Sequence, residues 1–287
     1  MAPQDGIWAG TAPAKVNLYL HVTGRRDDGY HLLDSLVVFA DVGDRLTLAP
    51  AAAPALTVTG PFAGAIPPGE DNLALRAVRR LAVATGRPDG IAVTLDKRLP
   101  VAAGIGGGSA DAAAVLRGLA ALWDLAPDDG RVMEVAAGLG ADVPVCLLGR
   151  TAWLGGVGER LDPGPDLAGT PILLVNPRVP LSTPDVFRAR RGGFSAEARF
   201  AEARPTLGQL ITLLAARGND LGDAAASLVP AIGDVLAALA AQPGCRLARM
   251  SGSGATCFGL FDTRGAADAA EAALAGRGWW AAAAALL

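Results

Sequence analysis

Four glycines fall within five positions, Gly104, Gly106, Gly107 and Gly108, in the string Ala103-Gly104-Ile105-Gly106-Gly107-Gly108-Ser109. An apolar stripe at helical spacing follows, at Val115, Leu119 and Leu122. Glycines that open a helix suit anion binding, because missing side chains let backbone N–H groups point at the ligand and the helix N-terminus adds partial positive charge. A strand-to-helix turn without a ligand would also use glycine, but it needs fewer of them. The familiar alternatives fail on particular residues. No lysine follows the glycines, which excludes a Walker A loop. Ser109 stands where the dinucleotide fingerprint has its third glycine, and a second helix follows where that fingerprint needs a strand with an acidic end. Neither an HRD-type loop nor a DFG motif occurs, so the chain is not a protein kinase.

Two further features could carry chemistry. Of 25 basic residues only Lys15 and Lys97 are lysine, and an ammonium is a compact charge that its surroundings can tune, whereas arginine holds its proton throughout. Asp142 precedes Pro144 by two positions, a spacing that taken alone reads more readily as a turn than as a catalytic carboxylate.

The elements that must position these residues can be read from the apolar pattern. Residues 15–22 alternate, which places Val16, Leu18, Leu20 and Val22 in a core and Lys15, Asn17, Tyr19 and His21 together on the opposite face. Further strands are predicted over 35–39, 45–48, 56–59, 91–96, 145–148, 171–175 and 256–261. Helices are predicted over 71–84 with Asp71 as N-cap, over 110–123, and over 129–139 ending at Gly140. Another is predicted to start at Ser182-Thr183-Pro184-Asp185, with mostly helical Ala-rich segments after it. The loosest composition, Asp162-Pro163-Gly164-Pro165, divides the chain into domains 1–164 and 165–287. Strands lead and helices follow without regular alternation, so the class is α+β rather than Rossmann.

The whole string from Leu99 to Ala113 resembles the phosphate loop of the GHMP kinases, the superfamily of galactokinase, homoserine kinase, mevalonate kinase and phosphomevalonate kinase. "PAKVNLYLHVTGRRDDGYHLLDSL" at 13–36, "LGADVPVCLLGRTAWLGGVGE" at 139–159, "STPDVF" at 182–187 and "SGSGATCFGLF" at 251–261 agree in content and order. The GRRDDGYH and GADVP segments are similar to one branch, whose members act on a cytidine-diphosphate-linked sugar alcohol. The resemblance covers residues from about 11 to about 262. It implies an N-terminal domain like ribosomal protein S5 domain 2 and a ferredoxin-like C-terminal domain. It also implies a reaction, in which ATP with Mg²⁺ phosphorylates the 2-hydroxyl of 4-diphosphocytidyl-2-C-methyl-D-erythritol in non-mevalonate isoprenoid precursor biosynthesis.

Residue roles follow from the same resemblance. Asp142 matches the catalytic base, and Lys15 matches the lysine that holds it ionised and polarises the hydroxyl. Pro100, Val101, Ala102, Ala103, Gly104, Ile105, Gly106, Gly107, Gly108, Ser109 and Ala110 match the ATP-binding segment, in which the amides of Gly104 to Ser109 would cradle the phosphates. Ser109 would meet Mg²⁺, with no dedicated metal site in the protein. Asn72 and Lys97 match positions that line the adenine pocket. Asn17 matches a contact to the methylerythritol portion, and Thr183 a contact near the sugar, although Thr-Pro-Asp also suits a helix start. Tyr30 and His31 match the residues that recognise cytosine, and Phe187 the second aromatic of the sandwich. The family commonly has a second Ser or Thr where this chain has Ala110, and often glycine where it has Ala102 and Ala103. Those changes keep every backbone donor but exclude a hydroxyl role at position 110. Residues 188–205 and the Ala-rich tail 264–287 match nothing recognisable.

Composition narrows the setting. The chain has 287 residues, 51% of them hydrophobic and 18% charged, which is the balance of a folded protein. Its net charge of −3 gives no footprint for nucleic acid and argues against an S5-like RNA-binding module. The N-terminal residues lack the pattern of a secretory signal and no apolar tract is long enough to span a membrane. Three widely spaced cysteines disfavour a disulfide framework and fit a cytoplasmic protein. A homoserine- or mevalonate-type kinase would have no reason to combine Tyr30, His31 and Phe187. A regulatory nucleotide binder would have no need of both Lys15 and Asp142.

Overall fold

The computed structural model describes residues 6–66, 72–126 and 129–287. Among them the strands are β1 (Trp8–Arg25), β2 (His31–Pro50), β3 (Ala55–Thr59), β4 (Ile91–Asp96), β5 (Ala152–Gly156), β6 (Arg160–Pro163), β7 (Pro171–Asn176), β8 (Cys245–Met250), β9 (Cys257–Phe261) and β10 (Trp280–Ala285). The helices are α1 (Leu73–Thr85), α2 (Gly107–Leu122), α3 (Gly130–Leu139), α4 (Val143–Leu148), α5 (Thr183–Ala189), α6 (Leu207–Ala215), α7 (Gly222–Leu228), α8 (Ala231–Ala240) and α9 (Arg264–Leu274). The chain is α+β and forms two compact units, each discontinuous in sequence. One comprises Met1–Ala14, Gly43–Val101 and Gly106–Gly149; the other comprises Lys15–Val42, Ala102–Ile105 and Arg150–Leu287. That partition follows compactness in space, whereas the division at 164 follows the change in composition.

In the first unit the C-terminal part of β2 lies antiparallel to β4, with Arg45 opposite Asp96, and β3 lies parallel to β4. Along β4 the apolar residues Ile91, Val93 and Leu95 are buried in alternation, as a half-covered strand requires. Helices α1 to α4 pack on one another. Gly118 lets α2 settle against the strands, because a Cβ there would meet Leu48 Cδ1 at 2.3 Å and Trp8 Cε3 at 2.6 Å. Asn72 caps α1 by accepting the Ala74 N–H at 2.9 Å; Asp71, the expected cap, lies outside the described residues.

In the second unit the N-terminal part of β2 pairs with β5, and β5 with β6, all antiparallel. A separate four-stranded antiparallel sheet has the order β10-β7-β9-β8. With helices after β7 and between β9 and β10, this is the split βαββαβ order of a ferredoxin-like domain. Leu20 and Val22 of β1 join Leu173, Val175, Ile232, Val235 and Phe261 in its core.

Several predicted elements need correction. Residues 145–148 are helical, within α4, rather than a strand. Pro144 at the start and Gly149 in the left-handed conformation (φ 59°) at the end bound a helical turn that a short apolar run alone does not reveal. The strands expected at 35–39 and 45–48 are one strand, β2. β1 extends well beyond 15–22 at both ends. The Ala-rich end is not all helical: β10 pairs with β7 from Trp280 opposite Asn176 to Ala285 opposite Pro171. All three cysteines are free.

Candidate active site

Within the second unit, three segments remote in sequence are tied together. The backbone N–H of Lys15 donates to the Ile105 carbonyl at 3.0 Å, and that of Thr256 to the Ala103 carbonyl at 3.1 Å. The Asn17 N–H donates to Ser251 Oγ at 3.1 Å, and Ser251 Oγ donates in turn to the Gly104 carbonyl at 3.3 Å. Gly104 permits this approach. It sits at φ +72°, and a Cβ there would lie 2.3 Å from the Gly254 carbonyl oxygen, a backbone atom with nowhere to go. The end of the glycine-rich loop, the lysine-bearing strand and the late Ser-Gly-Ser-Gly segment thus form one knot.

On the polar face of β1, Lys15, Asn17 and Tyr19 are buried and hydrogen-bonded. Lys15 Nζ donates to Asn17 Oδ1 at 3.0 Å, Asn17 Nδ2 to Ser35 Oγ at 2.8 Å, and Ser35 Oγ to the Tyr19 carbonyl at 2.6 Å. Lys15 and Asn17 are only 4% and 3% exposed, so their side chains are held rather than solvated. Farther along, His31 stacks on Phe187 with centroids 4.8 Å apart and ring planes 24° from parallel. Burial, then the guanidinium charges of Arg25 and Arg190, push the His31 pKa down, so the ring is neutral at pH 7 and offers one donor and one acceptor. Tyr30 is 66% exposed, which removes core packing as its role. Thr183 Oγ1 and Ser253 Oγ share a hydrogen bond of 2.7 Å at the start of α5, where Ser182 occupies the cap position.

Within the first unit, α2 opens at Gly106, which is left-handed (φ 68°), and no acidic residue stands in the first turn. Its leading amides have no intrahelical acceptor by construction, and the dipole favours an anion there. Gly108 is exposed, with nothing nearer a would-be Cβ than Leu73 Cδ1 at 3.7 Å. Asp142 occupies the N-cap position of α4, where its side chain makes no capping bond. Lys97 is 1% exposed, and its Nζ donates to Asp44 Oδ2 at 2.5 Å and to Asp111 Oδ2 at 2.7 Å. Its side chain therefore faces two carboxylates rather than an open pocket, and Asn72 is engaged as a helix cap.

The structure thus joins Lys15 to Asn17, His31 to Phe187, and both Lys15 and Thr256 to the loop. Sequence reasoning assigned no role to Ser35, Ser251, Ser253, Asp44 or Asp111. The alternation of serine with glycine at 251–254 was the available signal for two of them.

Two family models match, "GHMP kinases N terminal domain" over residues 72–150 and "GHMP kinases C terminal" over 198–278. A 4-diphosphocytidyl-2-C-methyl-D-erythritol kinase of Paramagnetospirillum magneticum is 57% identical over 96% of this chain and 97% of its own. The chain belongs to the 4-diphosphocytidyl-2-C-methyl-D-erythritol kinase family. A second member, from Rhodospirillum rubrum, is 52% identical over 95% of this chain and 90% of its own. The crystal structure of a 4-(cytidine 5'-diphospho)-2C-methyl-D-erythritol kinase superposes with a TM-score of 0.78 at 38% identity, covering 97% of this chain and 99% of that one. A homoserine kinase from Cytophaga hutchinsonii, at 19% identity and a TM-score of 0.72, shares the fold. As a member of this kinase family the protein is an enzyme, a phosphotransferase of the GHMP class. Among the described residues no group of three or more His, Cys, Asp or Glu side chains could hold a metal ion.

Proposed function

We propose that the enzyme transfers the γ-phosphoryl group of ATP to the 2-hydroxyl of 4-diphosphocytidyl-2-C-methyl-D-erythritol. The hydroxyl oxygen bonds to the γ-phosphorus, the bond from that phosphorus to the β,γ-bridging oxygen breaks, and ADP leaves. Asp142 takes the hydroxyl proton and Lys15 supplies positive charge that polarises the hydroxyl. Asn17 orients the methylerythritol portion. Tyr30 and Phe187 give the cytosine its aromatic platforms, His31 reads its polar edge, and Thr183 lies near the sugar. Segment 100–110 binds ATP through its backbone, with Asn72 beside the base, and Mg²⁺ on the phosphates meets Ser109. The enzyme works in the cytoplasm and needs no nucleic acid. Three free cysteines support that setting.

The observation that carries this reading is the knot of Lys15–Asn17, the loop and Ser251 within the second unit. It gathers the charged, polar and glycine-rich segments of a kinase whose family membership is shown along nearly the whole chain. Purified enzyme with Mg²⁺ and ATP is expected to release ADP with the cytidyl substrate but not with homoserine, mevalonate or galactose. Asp142→Asn should cut turnover by about 10²–10⁴-fold while both substrates still bind, as removal of a general base does. Turnover near wild type in that variant would refute the base assignment.

A further inference from the structure

The buried Lys97 cluster has a geometry that the reaction above does not use. Asp44 is fully buried on β2 and makes three bonds. Its Oδ1 accepts the consecutive backbone N–H groups of Arg98 at 2.6 Å and Leu99 at 2.8 Å, and its Oδ2 accepts Lys97 Nζ. Lys97 Nζ reaches onward to Asp111 Oδ2 in the second turn of α2. It also lies 3.2 Å from where a Cβ on Gly107 would stand, so the ammonium sits directly against the first residue of that helix. One carboxylate therefore fixes the chain that enters the glycine-rich loop and, through Lys97, the helix that leaves it. No metal is needed there, because the ammonium fills the space between the carboxylates.

We infer that Asp44 is a positioning residue for ATP, acting through Lys97 and the amides of Arg98 and Leu99 to hold both ends of the phosphate loop in register. This deepens the ATP reading and rests on it. An anion-binding loop made of backbone amides has no side chains to aim, so its affinity depends on where its ends are pinned. Asp44 is the group that pins them. In Asp44→Asn the amide oxygen still accepts a backbone N–H, but its NH₂ faces the Lys97 ammonium, donor against donor.

The test uses the full chain and a fluorescent ATP analogue labelled on its ribose, with Mg²⁺. For Asp44→Asn we expect the analogue's Kd and the KM for ATP to rise tenfold or more. KM for the cytidyl substrate should stay within twofold, and kcat should fall less than threefold. A merely structural role would lower kcat with the folded fraction and leave both KM values alone. That result, or a Kd within twofold of wild type, overturns the proposal. Should Asp44→Asn fail to fold, Lys97→Met breaks the arm to α2 but keeps the bonds from Asp44 to the two amides. A tenfold rise in Kd is expected again, and an unchanged Kd overturns the proposal. If neither variant folds, the cluster serves stability and the proposal is wrong. A wild-type enzyme that binds the analogue yet phosphorylates no cytidyl substrate would sink the substrate assignment instead, leaving the Kd comparison to judge Asp44.

Discussion

Asp111 brings one more negative charge into the protein than Lys97 can answer once Asp44 is counted. Its Oδ1 is buried without a hydrogen-bond partner, whereas both oxygens of Asp44 are occupied. Burial pushes the Asp111 pKa up to about 7, with Lys97 opposing the shift and Asp44 adding to it. The Lys97 ammonium feels burial too, but the carboxylates of Asp111 and Asp44 outweigh it and raise its pKa. The surplus proton thus belongs on Asp111. A carboxyl with a raised folded-state pKa binds protons more tightly in the native state than in the unfolded one. Its contribution to stability is complete below its ordinary value of 3.8 and is lost as pH rises toward about 7. Asp111→Asn cannot titrate, so urea unfolding at pH 5 and pH 8 should show a loss smaller by about 1–2 kcal/mol than in wild type. Equal losses in the two proteins would show that Asp111 keeps its charge when buried. None of this was legible in the sequence. Lys97 stood out because lysine is scarce, but its partners lie 53 and 14 residues away at spacings that belong to no motif.

At the scale of elements, the glycine-rich loop was the most readable feature, since its composition answers directly to its backbone. Gly104 and Gly106 both have positive φ, and so does Ala102 at 52°, where the side chain is an anomaly. A left-handed alanine costs about 1–2 kcal/mol, part of which glycine gives back through its freer unfolded chain. Ala102→Gly should therefore stabilise the protein by about 0.5–1 kcal/mol in thermal or urea unfolding. Gly104→Ala should do the reverse, by about 2 kcal/mol or more, because its Cβ would press into the backbone at Gly254. A harmless Gly104→Ala would mean that the loop and the 251–256 segment do not pack as described. The less readable elements were those in which partners override propensity. An alanine run such as 281–285 favours helix in isolation, yet β7 takes it as a sheet strand. In β1 the extension through Gly10, Thr11 and Pro13 has little strand signal of its own, and alternation resumes only at Lys15.

For the whole molecule, the class and the strand-led order were visible in advance, but not the interleaving of the two units, because a long strand such as β1 gives no local sign of serving both. The knot of the second unit has a consequence of its own. Asn17 and Ser251 are 234 residues apart, Ser251 and Gly104 are 147 apart, and Arg249 donates to the Leu18 carbonyl across 231. Contacts that close such long stretches of chain carry a loop-closure entropy cost and hold only while the sheet around them persists. In a urea titration, loss of cytidyl-substrate binding and loss of tryptophan fluorescence should share one midpoint; a site lost at lower urea would mean that it frays by itself. Substrate binding in this enzyme is then an all-or-none reporter. A molecule that still holds its substrate has also kept its fold, and partial activity in a damaged preparation counts the intact molecules in it rather than measuring an average impairment.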